Sequence, residues 1–392
     1  MMEWLFLLLP TAALSGWLSA RSHYKKSKPS ATTSFNPDYF KGLNFLLNEQ
    51  PDKAIDVFIH LLEVNSETVE THLALANLFR RRGETDRAIR IHQNLIARPT
   101  LSTEQRDQAL IELGLDYMHA GVLDRAENIF LELLNESSKP PLKALEQLLN
   151  IYQQEKEWLK AITVAKQILP HNKATINPII AQFYCELAEQ EQAAKNSLTL
   201  IKHAYSFDAN CVRASLLEAK LHISHDKYQK ALNCLHHIEQ QNHHYLSEVI
   251  PLLDSCYQQL NKLAEFEQWL HIILLRYPAM TSVRVMLTSV INKLHGSAEA
   301  QDFLHTQLKS HPSVEGLHCL IALGNQTNPI LVPLVKNITE SLVQRGDRYS
   351  CTRCGFGGKK MHWHCPSCKQ WGAIQPSEIH LSSLEKLLES ST

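Results

Sequence analysis

Residues 77–93 read NLFRRRGETDRAIRIHQ, and how this stretch is read decides the fold. Phe79 lies in one apolar-periodic run, Arg80-Arg81-Arg82 and Gly83 make a basic turn after it, and Asp86-Arg87-Ala88-Ile89 belongs to a second run. The quartet DRAI at 86–89 returns as DKAI at 52–55, DRAE at 124–127, LKAI at 159–162 and EQAA at 191–194. The marker alanines are Ala54, Ala88, Ala126, Ala161, Ala193 and Ala231, spaced by 34, 38, 35, 32 and 38 residues. Twelve residues before them stand Gly42, Ala76, Gly114, Leu149, Ala181 and Ala219, small in all but one case. Nine before them stand Phe45, Phe79, Tyr117, Tyr152, Tyr184 and His222, aromatic in all but the last.

This pattern resembles the tetratricopeptide repeat, a helix–turn–helix unit of about 34 residues. A small residue on the first helix lets the second helix pack close, and the aromatic one turn away fills the gap between neighbouring units. No unit buries its apolar face alone, so the units must stack into a solenoid. Six units are clear from Phe35 to residue 245, and two weaker ones are expected around Phe266, with Tyr257 nine residues earlier, and around Ala300. Such solenoids bind partners along the face lined by their first helices. The register of the family puts Asn77, Arg80, Arg81, Asn150 and Gln153 on that face, where Asn and Arg suit a peptide backbone or a carboxylate. The competing reading of the arginines is a solvated basic turn.

Composition agrees with helices. The chain has 392 residues, 44% hydrophobic and 20% charged, enough to bury a core without disulfides. Its 13 glycines are about 3% of the chain against a usual share of about 7%, which disfavours turn-rich sheets and glycine-rich phosphate loops. With 39 basic and 40 acidic side chains the formal charge is −1, and no global field draws nucleic acid or anionic lipid. Five of the nine cysteines (Cys185, Cys211, Cys234, Cys256, Cys319) are scattered through apolar runs, unlike a secreted disulfide framework, so a reducing compartment is expected.

Residues 4–20, WLFLLLPTAALSGWLSA, carry no charge and would span roughly 26 Å as a helix. A cleaved signal peptide would place basic residues before the apolar run. Here Glu3 precedes it, while Arg21, Lys25, Lys26 and Lys28 follow. The positive-inside rule makes this an uncleaved anchor with its N-terminus outside and everything after residue 20 in the cytosol. Ala12, Gly16 and Ala20 share one face of that helix and would admit a second membrane helix closely. Residues 21–34 read as a flexible linker near membrane lipid.

Near the other end stand Cys351-Thr-Arg-Cys354 and Cys365-Pro-Ser-Cys368, separated by ten residues of which the first is Gly355. Two C-x-x-C hooks supply four thiolates for one tetrahedral ion, iron or zinc. The hooks resemble a rubredoxin knuckle, although Lys369 replaces the second glycine and the interval is short. His362 and His364 lie within the interval and are read as surface or supporting residues rather than ligands. Trp363 and Trp371 are expected to shield the sulfurs and pack the knuckle onto the last helices. Arg353, Lys359, Lys360 and Lys369 would offset the site's negative charge. The pairs His236-His237 and His243-His244 flank a loop and read as surface histidines, and no catalytic constellation is evident.

The expected fold class is therefore all-α. It comprises a tetratricopeptide-repeat solenoid with an N-terminal transmembrane helix and a small C-terminal rubredoxin-like metal-binding domain. The expected divisions are 1–20 anchor, 21–34 linker, 35–345 solenoid, and 346–392 metal domain and tail. This order of parts resembles the lipopolysaccharide assembly protein B family. The resemblance rests on LFLLLP at 5–10, GLNFLL at 42–47, DKAIDVF at 52–58, residues 77–93, FYCELA at 183–188, CYQQL at 256–260 and WHCPSC at 363–368. It implies a non-enzymatic, single-pass adapter in the bacterial inner membrane that regulates lipid A synthesis. The implied partners are the membrane protease FtsH, the lipid A pathway deacetylase and an inner-membrane regulator of the PbgA/YejM type; self-association also suits a repeat protein. It implies metal ligation by Cys351, Cys354, Cys365 and Cys368. The alternatives are a rubredoxin-like iron electron carrier on a repeat scaffold, and a zinc-ribbon nucleic-acid binder, which the neutral charge and the anchor disfavour.

Overall fold

The computed structural model describes residues 16–18, 37–48, 50, 53, 54, 57, 69–99, 101–136, 141–324, 335, 337–342 and 346–377. The expected anchor and linker, with Ala12 and Ala20, fall outside these residues, apart from residues 16–18, which are helical. Among the described residues no helix is long and apolar enough to cross a membrane. The chain forms two compact units, Met1–Ser138 and Lys139–Thr392.

The first unit contains α1 (Pro37–Leu47), α2 (Val69–Arg81), α3 (Thr85–Ile96), α4 (Thr103–His119) and α5 (Leu123–Glu136). Ala88 and Ala126 are each the fourth residue of a second helix and are fully buried, as the marker position requires. Gly114 on α4 shows why the position twelve residues earlier is small. A Cβ there would lie 2.5 Å from Cζ of Phe130 on α5, so the ring occupies the space a side chain would need. Ser102 starts α4 with a reciprocal capping box to Gln105, which satisfies two backbone N–H groups at the helix end.

The second unit contains α6 (Leu142–Glu155), α7 (Trp158–Ile168), α8 (Lys173–Gln190), α9 (Ala194–Phe207), α10 (Val212–Ser224), α11 (Tyr228–Gln241), α12 (Leu246–Gln259), α13 (Leu263–Arg276), α14 (Thr281–His295), α15 (Ser297–Ser310) and α16 (Val314–Leu323). Ala161, Ala231, Phe266 and Ala300 each stand fourth in a second helix and are fully buried, so the two weaker units have the same construction. Tyr257 stacks on Phe266 at 4.9 Å, the aromatic packing expected of that position.

The unit built on α8 and α9 corrects the alignment. Ala193 is exposed and sits at the N-cap of α9, while the fourth residue, Ser197, is buried. Its hydroxyl donates to the Ala188 carbonyl on α8 at 2.9 Å, so a serine that satisfies its own polar atom replaces the alanine. The register therefore shifts by four residues, and buried Cys185 and Ala188 stand where Ala181 and Tyr184 were expected. Tyr184 packs instead against Phe207, with ring centroids 5.7 Å apart.

After these helices the described residues of the second unit form a three-stranded antiparallel sheet, ordered β2-β1-β3, of β1 (Tyr349–Cys351), β2 (Gly357–Gly358) and β3 (Ile374–Pro376). The small core beneath it is Tyr349, Cys351, Cys365, Ala373 and Ile374.

Candidate metal centre and its seat on the helices

The two hooks are built alike. Cys351 N–H donates to the Phe356 carbonyl and Cys365 N–H to the Gln370 carbonyl, at 2.8 and 3.0 Å. Gly355 N–H donates back to Cys351 and Lys369 N–H back to Cys365, both at 3.0 Å. The turn needs a left-handed residue in each hook: Gly355 has φ of 74° and Lys369 has φ of 57°. The second hook thus keeps the geometry of the first without its glycine.

The four sulfurs converge. Cys351 Sγ lies 3.7 Å from Cys368 Sγ and Cys354 Sγ lies 3.8 Å from Cys365 Sγ. A tetrahedral ion with metal–sulfur bonds of about 2.3 Å requires sulfur–sulfur edges of about 3.8 Å, so the donor set fits a zinc- or iron-sized ion. Cys351 and Cys365 are buried, and Cys354 and Cys368 lie at the surface. The Phe356 backbone N–H favours the Cys354 thiolate and pulls that thiol down to about 6. The Gln370 N–H acts the same way on Cys368, but desolvation and hydrogen bonds to the other three sulfurs outweigh it and lift that thiol to about 11. A bound cation would hold all four as thiolates and cross-link both hooks. His364 is not a ligand: its Nε2 donates to the Lys369 carbonyl at 2.8 Å and its ring stacks on Trp371 at 4.6 Å. His362 meets the edge of Phe356. Arg353 donates to Gln370 Oε1, so part of the expected countercharge is anchored across the two hooks.

The position of this ribbon departs from expectation. Trp371 does not pack on the last helices; its ring meets Trp158 on α7 at 6.1 Å and Phe183 on α8 at 5.8 Å, both edge-on. Its indole N–H donates to Gln153 Oε1 on α6 at 2.8 Å. Trp363 stacks on Tyr245, just before α12, at 5.6 Å, and the Arg213 guanidinium from α10 lies 5.7 Å from the Trp363 ring. Arg213 is held by Glu186 and Glu189 of α8, each at 2.9 Å. The Tyr245 hydroxyl donates to the Ile374 carbonyl at 2.8 Å, and Glu248 on α12 accepts from Tyr349 at 2.7 Å and pairs with Arg348. The ribbon thus folds back along four successive first helices, α6, α8, α10 and α12. Aromatic contact supplies the burial and placed hydrogen bonds fix the orientation.

The residues expected to bind partners fall into different surroundings. Gln153 is spent on Trp371, with its amide N–H donating to Leu149. Asn150 is exposed and donates to Gln147. In the first unit, Arg80 is half-buried and clamps Glu112 at 2.6 Å and Asp116 at 2.8 Å on α4. Asp116 also meets buried His92 of α3 at 2.5 Å. Arg81 is exposed, and Asn77 Oδ1 is buried with no partner among the described residues. Sequence reasoning missed Trp158, Phe183, Arg213, Tyr245 and Glu248. Their one local signal was Arg213, a lone charge within the largely apolar run at 211–217.

A repeat protein of helix pairs carrying a rubredoxin-type metal ribbon is the class these features define. The tetratricopeptide repeat family matches residues 71–105, and a family described as the rubredoxin metal binding domain matches residues 349–376. The chain is 39% identical to lipopolysaccharide assembly protein B of Escherichia coli strain K12, over 96% of this chain and 98% of that one. It is 37% identical to the protein of the same name from Haemophilus influenzae, over the same shares. The chain belongs to the lipopolysaccharide assembly protein B family. Among solved structures, a tetratricopeptide repeat protein from Parabacteroides merdae aligns at 14% identity with a TM-score of 0.33, covering 70% of this chain and 100% of that one.

Proposed function

We propose that this chain serves lipopolysaccharide assembly as a non-enzymatic adapter at the bacterial inner membrane. In this reading it promotes degradation of the lipid A pathway deacetylase by the membrane protease FtsH. The observation that carries it is the near full-length identity to two proteins named for lipopolysaccharide assembly. The uncharged run at 4–20, followed by basic residues, supports a single-pass anchor with a periplasmic N-terminus, and a regulator of the PbgA/YejM type would meet it through Ala12, Gly16 and Ala20. Client binding falls to exposed residues of the repeats, Arg81 in the first unit and Asn150 in the second included. The metal acts structurally, because binding free energy at four thiolates is also folding free energy for the ribbon. An iron electron carrier would draw on the same four sulfurs, but it gives no role to the helices.

The test is the half-life of the deacetylase in cells depleted of this protein, with and without add-back. A lengthened half-life restored by the full chain supports the adapter; an unchanged half-life overturns it. A chain lacking residues 1–20 that restores turnover at normal expression would defeat the tethering part alone.

A further inference from the structure

Away from the ribbon, α10 and α11 bring three side chains of ligating type to one point. Glu218 and His222 are one turn apart on α10, so carboxylate and imidazole share a face. Cys234 on α11 meets them, and one ligand atom from each residue lies within 4.8 Å of the other two. His222 Nε2 stands 3.8 Å from Glu218 Oε1, too far for a hydrogen bond. That gap is a few tenths longer than the edge of about 3.4 Å in a tetrahedron with metal–nitrogen and metal–oxygen bonds of about 2.0–2.1 Å.

Two further observations point to a ligand. First, the Tyr205 hydroxyl on α9 donates to Glu218 Oε2 at 2.9 Å, which fixes the carboxylate and leaves Oε1 turned to His222. Metal-binding carboxylates are oriented by such outer hydrogen bonds. Second, His222 stands nine residues before marker Ala231, where the corresponding residues Phe79, Tyr117, Tyr152 and Tyr257 are aromatic. In the others the position packs between repeats; here it carries a ligating nitrogen. A pocket of about 410 Å³ opens against Glu218 and Cys234, with Tyr205, Ser215, Asn233 and His237 around it. Glu218 and Cys234 line it and His222 does not, so solvent reaches the cluster from the carboxylate and thiol side.

We propose that Glu218, His222 and Cys234 form a second metal site, which takes one zinc ion through oxygen, nitrogen and sulfur and keeps one position open to water. The mixed donor set suits a borderline cation rather than magnesium or calcium. On binding, the Cys234 thiol gives its proton to solvent and the ion ties α10 to α11. Because α10 also carries Arg213, occupancy stiffens a helix on which the ribbon rests. Three protein ligands with an open position mark an exchangeable site, in contrast to the closed set of four cysteines. The site stands independently of the adapter reading.

The test uses the full chain with its ribbon already loaded with one zinc ion, titrated with zinc against a chromophoric chelator. The expected result is a second equivalent per chain, absent in both His222→Phe and Cys234→Ser, each of which retains the first equivalent and its helical circular dichroism. His222→Phe restores the aromatic that Tyr152 and Tyr257 supply at this position in other repeats, so its loss of metal cannot be ascribed to lost packing. With cobalt as the probe, the second equivalent should bring a thiolate charge-transfer band that Cys234→Ser removes. A single equivalent in the unmodified chain, or a second equivalent that survives either substitution, overturns the site.

Discussion

Arg80 in the first unit and Arg213 in the second are both guanidinium groups clamped by two carboxylates from a neighbouring first helix. Their surroundings differ. The partners of Arg80 are almost out of water, with the side chains of Glu112 and Asp116 5% and 0% exposed. Those of Arg213 are 24% and 41% exposed, and its own burial is completed by Trp363 from the ribbon. At Arg213, desolvation works against the charge, and Glu189 and Glu186 outweigh it to raise the pKa. One clamp is closed within its own repeats, whereas the other is completed by the ribbon that carries the four cysteines. The difference teaches that the ribbon takes part in the packing of the second unit.

Breaking the metal site should have the largest effect. Cys365→Ser, or chelation, removes a cross-link whose apparent binding free energy in small zinc domains is about 10 kcal/mol or more. We expect loss of the ion, a red shift of Trp363 and Trp371 fluorescence, and lower thermal stability of residues 139–377, while amide exchange in α2–α5 stays unchanged. Stability and fluorescence that do not respond to chelation would show that the ribbon holds its seat without metal.

The two arginines come next and should separate. Arg80→Ala leaves two buried carboxylates without their cation and is expected to cost about 3–5 kcal/mol, read as lost exchange protection in α2 and α4. Arg213→Ala leaves carboxylates that water reaches, so about 1.5–3 kcal/mol is expected, with a change in Trp363 emission. Equal costs would mean that carboxylate burial does not set the difference.

Trp371→Ala should cost about 2 kcal/mol, less than the about 3–5 kcal/mol of a fully buried aromatic, because its ring is half-buried. Metal content should stay at its original value while limited proteolysis between the helices and the ribbon quickens. Retained protection would show that Trp363 and the Glu248 contacts suffice. The smallest effect should come from Lys369→Gly, which relieves a left-handed lysine and should add about 0.5–1 kcal/mol to ribbon stability. The midpoint of chelator-induced unfolding measures it. No gain would mean that the Lys369 side chain contributes as much as its backbone costs.

Much of this was legible in the chain. The markers Ala88, Ala126, Ala161, Ala231, Phe266 and Ala300 fall at one helical position because repeat packing is local and admits only a short list of side chains there. The four cysteines were legible because metal coordination needs particular atoms at fixed short spacing. Ser197 escaped because a buried hydroxyl is tolerated only where a carbonyl such as that of Ala188 waits, and that carbonyl is supplied by another helix. Gln153 and Arg80 were placed on the open face by register, yet each is occupied by a partner that register cannot see. Glu218 and His222 were four apart in plain view, but Cys234 joins them only once α10 and α11 pack.

The sequence by itself determined the helix pairs, their repeat and the tetrahedral sulfur site, since each rests on contacts among residues near in the chain. Tertiary structure alone decided where the ribbon lies. Trp371 reaches Gln153 across 218 residues, and no periodicity carries that pairing. The seat exists because two half-buried indoles and a row of first helices bury apolar surface together, while Gln153 and Glu248 fix its two ends by hydrogen bonds and an ion pair.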